Sequence, residues 1–513
     1  MNRLALILCG ALIFLLAFRS ILRWQDNRRF AAGHGCKEPR REKPYDVLGV
    51  AKVIDSARQI INKTALTSLT TLFTDYGDTF QSQILNQRVI FTRNTRNLRD
   101  ILITNFGDYD NSTVRVHLFK PITEHGIFAV DGAAWRAARH VYRNQFSHTR
   151  SIVDLQMQEN HIQNLINRIP ADGSSVDLQP LFLHCMLDIT TAFALGESAD
   201  SLSPHQTADQ KDFVDNLLHL KMIMARDGFL GPVSVIYGKA DFHNSCSRVH
   251  RYVERIIARR LEQNRVRAQK EGGLAAASEK EAPTERDPRG YSILGGLTDN
   301  TDDMIELRDG VITILIAGID SVASLLSSTF WLLSRDERVF QKLRTEVIDT
   351  VGHEPPTYDQ IRSLTYLRYV FNEAMRVVPP VPINARTANK RTVLPVGGGQ
   401  DGESPVFVNK GDRVIFSSYG SHRHFGSFGD DAHDFRPERW EALKAETLGF
   451  IPFNLGPRAC PGQHYALAEA SNIMVRLLQT FSTIKNRDPR PWVEHIGLNL
   501  SNENGVILQM NRE

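Results

Sequence analysis

A mostly α-helical fold with a few small β-sheets is predicted, and three observations predict it. Apolar residues recur at helical spacing through most of the chain from Leu48 onward. One stretch, Asp302 to Leu333, is a helical candidate of unusual length and is apolar nearly all round in its middle. Short alternating segments of strand character appear late in the chain.

Taken in order, the chain begins with an uninterrupted apolar run, LALILCGALIFLLAF, from Leu4 to Phe18, followed by Arg19, Ile21 and Leu22. At about 1.5 Å per residue it nearly spans the ~30 Å hydrocarbon layer of a bilayer, with Arg19 snorkelling. A cleaved signal peptide is the competing reading. However, positive charge follows the run (Arg19, Arg23, Arg28, Arg29) rather than preceding it (Arg3), and no convincing small-residue cleavage pattern is present. Residues 1–23 therefore read as a retained transmembrane helix with the rest of the protein cytosolic. Gln25 to Tyr45 is polar and basic with Pro39 and Pro44, so residues 24–47 read as a stiff hinge. Residues 48–513 read as one large domain.

Within that domain, helical periodicity is clear around Ser56 to Thr71, His161 to Ile169, Val176 to Phe193 and Arg248 to Glu262. Val266 to Gly290 is charged, Ala/Gly-rich and poor in aromatics, an exposed loop between helices. Asp302 to Leu333 carries acidic residues at its start, as the helix dipole prefers. Gly318, Asp320 and its polar ends make it a buried core helix rather than a second membrane span. Arg391 to Pro395, Pro405 to Val408, Arg413 to Phe416 and Gly505 to Gln509 read as strands, with Gly397-Gly-Gly399 as a loop.

Composition excludes several classes. A net charge of +3, with 42% hydrophobic and 23% charged residues, is ordinary globular material and no nucleic-acid binder. The five cysteines (Cys9, Cys36, Cys185, Cys246, Cys460) are scattered and odd in number, with no CxxC pair. That argues against a disulfide framework or a structural zinc site. HExxH, Walker A and strand–GxGxxG–helix patterns are absent.

The strongest local signal is Phe453-Asn-Leu-Gly456-Pro-Arg458-Ala-Cys460-Pro-Gly462. Two glycines flank a cysteine where backbone must turn tightly and approach a flat ligand closely. Gln463 to Leu478 is amphipathic and helical, so Cys460 precedes a helix N-terminus, which favours a thiolate. Arg458 is placed to pair with a carboxylate on the ligand's rim, and Phe453 to cover the sulfur.

This segment resembles the heme-binding loop of the cytochrome P-450 family, and further matches follow in the family's chain order. Glu373-Ala-Met-Arg376 resembles its ExxR helix, and Phe435-Arg-Pro-Glu-Arg439 the segment whose arginine completes a buried triad. Trp135-Arg-Ala-Ala-Arg139 resembles the helix supplying propionate contacts. Ala317-Gly318-Ile-Asp320-Ser321 lies where the family has its oxygen-activation motif. The resemblance covers roughly everything after the anchor. It implies the cytochrome P-450 fold, a heme b cofactor whose iron takes an axial thiolate from Cys460, and a heme-thiolate monooxygenase activity.

On that resemblance, Trp135 and Arg139, sharing a helix face at i and i+4, are expected to bind one heme propionate, and Arg386 the other. His422 lies where the family can also touch the heme rim. Arg458 and Gly462 complete the cofactor set with Phe453. Glu373, Arg376 and Arg439 are expected to form a structural ionic network. Asp320 and Ser321 are the expected catalytic pair, an acid beside a hydroxyl that holds water and relays protons in a helix loosened by Gly318. Serine stands where most members have threonine, and Val322 replaces a frequent second hydroxyl residue.

No flavin or nicotinamide domain fits in the remaining length, so electrons are expected from NADPH-cytochrome P-450 reductase, with cytochrome b5 a further candidate, docking near Cys460 through residues such as Arg458. The implied location is the endoplasmic reticulum membrane, single-pass. Gly35-Cys-Lys-Glu-Pro39, Gly126-Ile-Phe-Ala-Val-Asp-Gly132, Ala194-Leu-Gly-Glu-Ser198 and Val381-Pro-Ile-Asn-Ala-Arg386 resemble the fungal branch that hydroxylates n-alkanes and fatty acids. Apolar pocket segments are expected at His117 to Phe128, Ile312 to Ser321, Val378 to Ile383 and Leu498 to Ser501. They suit an alkyl chain; a terpenoid or polyketide of secondary metabolism would fit equally. A reductase-independent isomerase or dehydratase is the third reading, opposed by the retained Asp320 and Ser321.

Overall fold

The computed structural model describes residues 2–43, 49–147, 149–231, 234, 238–270, 291–443 and 449–512. The fold is mainly helical, as expected, and is organised around the helix Met304–Leu333. Asp303 caps it, accepting the N–H groups of Ile305 and Glu306 at 2.9 Å each. The central helix packs on Leu178–Leu195, Thr365–Val377 and Gln463–Thr480, and their apolar faces form the main core. The central helix and Leu178–Leu195 are long and apolar enough to cross a bilayer, but both are mostly buried inside the body.

The described residues also form four small sheets. In chain order the strands are β1 (Arg40–Arg41), β2 (Thr79–Ile84), β3 (Gln87–Thr92), β4 (Tyr109–Asn111), β5 (Val176–Asp177), β6 (Ile383–Ala388) and β7 (Thr392–Gly398). They continue with β8 (Ser404–Val408), β9 (Arg413–Ser417), β10 (Phe481–Asn486), β11 (Glu494–Ile496), β12 (Leu500–Asn502) and β13 (Ile507–Arg512). The largest sheet has the order β1-β2-β3-β9-β6-β4, with β1–β2 and β3–β9 parallel. It presents Arg386 on β6 to the bundle. Hairpins β7–β8 and β11–β12 and the sheet β10-β13-β5 complete the set.

Several boundaries differ from expectation for local reasons. Ser56 to Thr71 is not one helix: Val50–Ile61 and Ala65–Tyr76 are separated at Asn62–Thr64, where Lys63 adopts φ 58°. Val176 and Asp177 are strand rather than helix; the Asp177 carboxylate accepts the Gln179 N–H at 3.0 Å and starts Leu178–Leu195. Residues 266–270 continue the helix Ala240–Lys270, and the remainder of the expected loop, 271–290, lies outside the described residues. Gly397 and Gly398 end β7 instead of forming a loop; a Cβ on Gly398 would stand 2.4 Å from the Lys37 carbonyl oxygen.

The N-terminal helix runs from Asn2 to Gly33, past the expected end of the anchor, with Leu8 to Trp24 presenting exposed apolar side chains. Its last turns dock on the body. Asp26 pairs with Arg391 at 2.5 Å, and the Phe30 ring lies 5.8 Å from Phe407. Arg40 and Arg41 then join the sheet beside β2. The stretch read as a hinge is therefore largely built into the body, and residues 44–48, which include Pro44, lie outside the described residues.

Candidate heme-thiolate site

Cys460 is held by a loop that closes on itself. Its N–H donates to the Phe453 carbonyl at 2.9 Å. Gly456, at φ 66°, lies so close to the turn Asp100–Thr104 that a Cβ would stand 1.9 Å from the Leu102 carbonyl oxygen. Only glycine fits there. Gly462 is different: its φ is −90°, and a Cβ would make ordinary contact with Phe146 at 3.6 Å. No protein atom demands glycine at 462, which leaves the interior side of the loop as the place where its small size matters.

The helix Gln463–Thr480 follows directly. Burial pushes the Cys460 thiol up, opposed by the Gly462 N–H at its sulfur and by the nearby Arg139 cation. The same residue is open to a water-sized sphere. A thiol that protein surrounds and yet leaves exposed is available to a ligand. Phe453 contributes its carbonyl to the loop, and its ring packs against the main core.

Above the loop, arginines crowd together. Arg458 bonds Asp131 at 2.5 Å and lies 4.3 Å from the Trp135 ring centroid. Arg386 is 2% exposed and donates to the Ala385 carbonyl at 2.8 Å and to Asn384 Oδ1 at 3.2 Å. Arg115, on the helix Thr113–Phe119, donates to the same Asn384 oxygen at 3.0 Å. Burial first, then mutual repulsion, pushes Arg386 down to about 9 and Arg115 to about 10. Arg139 and Arg458 are also lowered, chiefly by burial.

Asp131, bonded to Arg458, is among the described residues the one carboxylate that acts on all three guanidiniums, so two positive charges are in surplus. Adding Arg139 and Asp110, which both sense Arg458, leaves the surplus unchanged. The residues fit a group that brings two carboxylates, as heme does with its propionates, and whose iron would meet an open thiol. Arg458 is consequently not a surface docking residue: its side chain is 7% exposed.

On the opposite face, the central helix is buried almost throughout, yet Ala317 is exposed and Ser321, one turn on, is half-open. These two interrupt the buried run of the helix. The Ser321 hydroxyl donates to the Ala317 carbonyl at 2.8 Å. Asp320 points elsewhere, pairing with the buried Lys221 of the helix Ala208–Leu230 at 2.6 Å. The acid and the hydroxyl therefore face different partners. The expected loosening at Gly318 is absent, because the helix is continuous there; the glycine instead admits Thr190, whose Cγ2 would lie 3.1 Å from an added Cβ.

The pocket segments converge on this helix. The His125 N–H donates to Asp309 at 2.8 Å, the Ser324 hydroxyl to the Leu500 carbonyl at 2.5 Å, and the Leu500 N–H to the Pro380 carbonyl at 2.9 Å.

Behind the thiol loop, Glu373 and Arg376 are fully buried. Glu373 accepts from Arg376 at 2.8 and 2.9 Å, from Arg439 at 2.8 Å and from the Trp440 indole at 3.0 Å. The expected triad is thus present, enlarged by Trp440. His422 is a correction. It is wholly buried, with both ring nitrogens bonded to backbone, so it has no free edge for a heme rim.

Sequence reading missed Arg115, Asp131 and Lys221. Arg115 and Lys221 sit in no quoted motif, and Asp131 lies in Gly126 to Gly132, which was read for its resemblance alone; each gains meaning from a partner far along the chain: Asn384, Asp320 and Arg458.

The family model for cytochrome P-450 matches residues 39–508. Among curated proteins, the chain is 34% identical to the cytochrome P-450 monooxygenase fsdH of Fusarium heterosporum, covering 100% of this chain and 89% of that protein. It is 37% identical to the cytochrome P-450 monooxygenase himC of Aspergillus japonicus, over 98% and 88% of the two chains. It is 34% identical to cytochrome P-450 52A13 of Debaryomyces hansenii, over 84% and 83%. The chain belongs to the cytochrome P-450 family, and with it to the heme-thiolate monooxygenases, oxidoreductases whose cofactor metal is iron.

Proposed function

We propose that the chain is a membrane-anchored monooxygenase that hydroxylates a long alkyl chain, of a fatty acid or an alkane, at or near its terminal carbon. The observation that carries this reading is the open Cys460 thiol lying beneath arginines with two surplus charges. Bound there, heme would supply oxygen activation. Cys460 is the residue assigned to the iron. Arg115, Arg386, Arg458 and, beside the sulfur, Arg139 would hold the propionates, with Trp135 supporting Arg458 and Gly462 leaving room for the ring.

The chain's own residues divide the remaining work. Ser321 holds a hydroxyl at the open face of the central helix, where its Oγ would orient a water and hold or move a proton. Asp320 supplies acid capacity one residue away, released when its pair with Lys221 opens. The apolar segments tied together by Asp309, Ser324 and Pro380 exclude water and orient the chain to be oxidised.

The exposed apolar surface from Leu8 to Trp24 supports insertion of the first helix in a membrane, that of the endoplasmic reticulum, with the body cytosolic. Electrons would come from NADPH-cytochrome P-450 reductase, with cytochrome b5 as a second donor. The exposed Arg136, His140 and Arg143 of the helix Gly132–Phe146 offer a basic docking face. The segments similar to the alkane and fatty-acid branch favour an alkyl substrate. The likeness to fsdH and himC keeps tailoring of a secondary metabolite as the second reading.

Purified protein reconstituted with reductase and NADPH, given fatty acids, alkanes and terpenoids in parallel, should yield terminally hydroxylated alkyl products. Turnover confined to terpenoids would replace the first reading by the second. Product formation without NADPH or oxygen would point to an isomerase instead.

A further inference from the structure

We infer that His422 is a positioning residue: it transmits the rigidity of the buried Glu373–Arg376 network to the loop that carries Cys460. The inference rests on the reading of Cys460 as the iron's ligand. His422 is fully buried beside Phe450, ring centroids 5.1 Å apart, and its two ring nitrogens serve different elements. Nε2 accepts the Ile451 N–H at 2.8 Å. An imidazole nitrogen that accepts a backbone N–H must carry its lone pair, so the proton resides on Nδ1. Nδ1 then donates to the Met375 carbonyl, 3.2 Å away at the end of the helix Thr365–Val377.

The link to the network is reciprocal. Arg376, next to Met375, donates through Nη1 to the carbonyl of His422 itself at 3.0 Å. Helix and histidine therefore interlock by one bond in each direction. Burial, which pushes His422 down to about 3, keeps the ring in the neutral form this pattern needs.

From Ile451 the path to the sulfur is short. The Ile451 carbonyl accepts the Asn454 N–H at 3.1 Å, and the Phe453 carbonyl accepts the Cys460 N–H at 2.9 Å. Gly456 pins the far side of the loop against Leu102. The loop is thus held at several points, the Arg458–Asp131 pair among them, and His422 is the one that faces the ionic network. Without it the Ile451 N–H would be buried and unpaired, and the loop would be free to shift.

The test uses full-length, heme-loaded protein and two substitutions. His422→Asn keeps a donor near Nδ1 but is too short to reach the Ile451 N–H. His422→Gln extends an oxygen toward it. The reduced carbon monoxide complex of the wild type should show the red-shifted Soret band of thiolate ligation. In His422→Asn that band should decay about tenfold faster, well below the melting temperature and with heme content preserved. His422→Gln should restore much of the lifetime.

An Asn variant with the wild-type lifetime, or a Gln variant decaying as fast as Asn, would overturn the inference even if melting temperatures fell. A wild type lacking the thiolate band would overturn the assignment of Cys460, and this inference with it.

Discussion

Two groups of buried arginines lie on either side of the thiol loop, and they differ in one respect. Arg376 and Arg439 are saturated: Glu373, Asp431 and several carbonyls take up their donors, and charge is balanced. Arg115, Arg386 and Arg458 share Asp131 and repel one another. A saturated group has finished its work when the chain folds. An unsaturated one is stable only with a partner that folding does not supply. The contrast separates residues that hold the fold from residues that await a ligand, although both are arginines and both are buried.

The largest effect is expected from breaking the saturated side. Glu373→Ala leaves Arg376 without a carboxylate in the interior and Arg439 with Asp431 alone, a loss of about 3–5 kcal/mol. Folded, heme-binding protein should nearly vanish, as measured by far-ultraviolet circular dichroism and heme absorbance per mole of chain. A stable Glu373→Ala protein with normal heme content would erase the distinction between the two groups.

A third buried polar group tests whether lack of partners alone marks a ligand site. On the helices Leu155–Arg168 and Gln463–Thr480, polar atoms of Gln158, Tyr465, Glu469 and Asn472 are left unpaired, although Asn472 donates to Gln158 at 2.9 Å. Cys185, from Leu178–Leu195, and Asp154, which caps Leu155–Arg168, face the same cluster. Among the described residues the cluster shows no surplus of cations, and Glu469 answers its burial by holding its proton. Burial holds the Glu469 carboxyl up at about 8. Its folded-state pKa thus exceeds the unfolded value of about 4.3. Between those two values the native state binds the extra proton, so stability falls as pH rises through that window and levels off above about 8. The slope for one proton is about 1.4 kcal/mol per pH unit at most. Glu469→Gln should flatten the decline in urea-unfolding free energy between about pH 5 and 8; an unchanged slope would remove Glu469 from the account.

The unsaturated arginines should behave in the opposite way to Glu373. Arg386→Ala removes one of three mutually repelling charges, so apo-protein stability should hold or rise. Heme affinity should fall by ten- to a hundredfold, the worth of about 1.5–3 kcal/mol for a charge-assisted bond. Heme titration against the apo-protein melting temperature reads both at once. Loss of apo stability with unchanged heme affinity would make Arg386 a fold residue after all.

The two groups were not equally legible in sequence. Cys460 and its loop are a contiguous pattern whose glycine at 456 answers a local steric demand, so ten residues suffice to see it. Glu373, Arg376 and Arg439 are legible as an ordered set, since two of them sit one turn apart on a helix. Arg115 is a lone arginine on a seven-residue helix, and nothing nearby announces that it shares Asn384 with Arg386. His422 was assigned to the heme rim because loop position does not reveal burial; Met375 and Ile451 take both its nitrogens only after the chain has folded. The helix break at Lys63 escaped for a related reason, since the apolar rhythm continues across a residue in left-handed conformation.

The smallest effect concerns the distal face, where the comparison narrows to one ion pair. Lys221 and Asp320 neutralise each other at 2.6 Å, as the charges of the Glu373 network do, yet Asp320 adjoins the open Ser321 and is itself partly exposed. If the pair is only structural, Ser321→Ala should leave the ratio of product to consumed NADPH unchanged, because the hydroxyl merely caps the Ala317 carbonyl. If the open face delivers protons, Ser321→Ala should raise hydrogen peroxide release and lower that ratio a few-fold, with melting temperature unmoved. Lys221→Met should then act on the same ratio without touching the hydroxyl, since it frees Asp320 from its only charged partner among the described residues. Combining the two substitutions decides the matter: a double variant no worse than Ser321→Ala places Asp320 and Ser321 on one proton path, while additive losses place them on two.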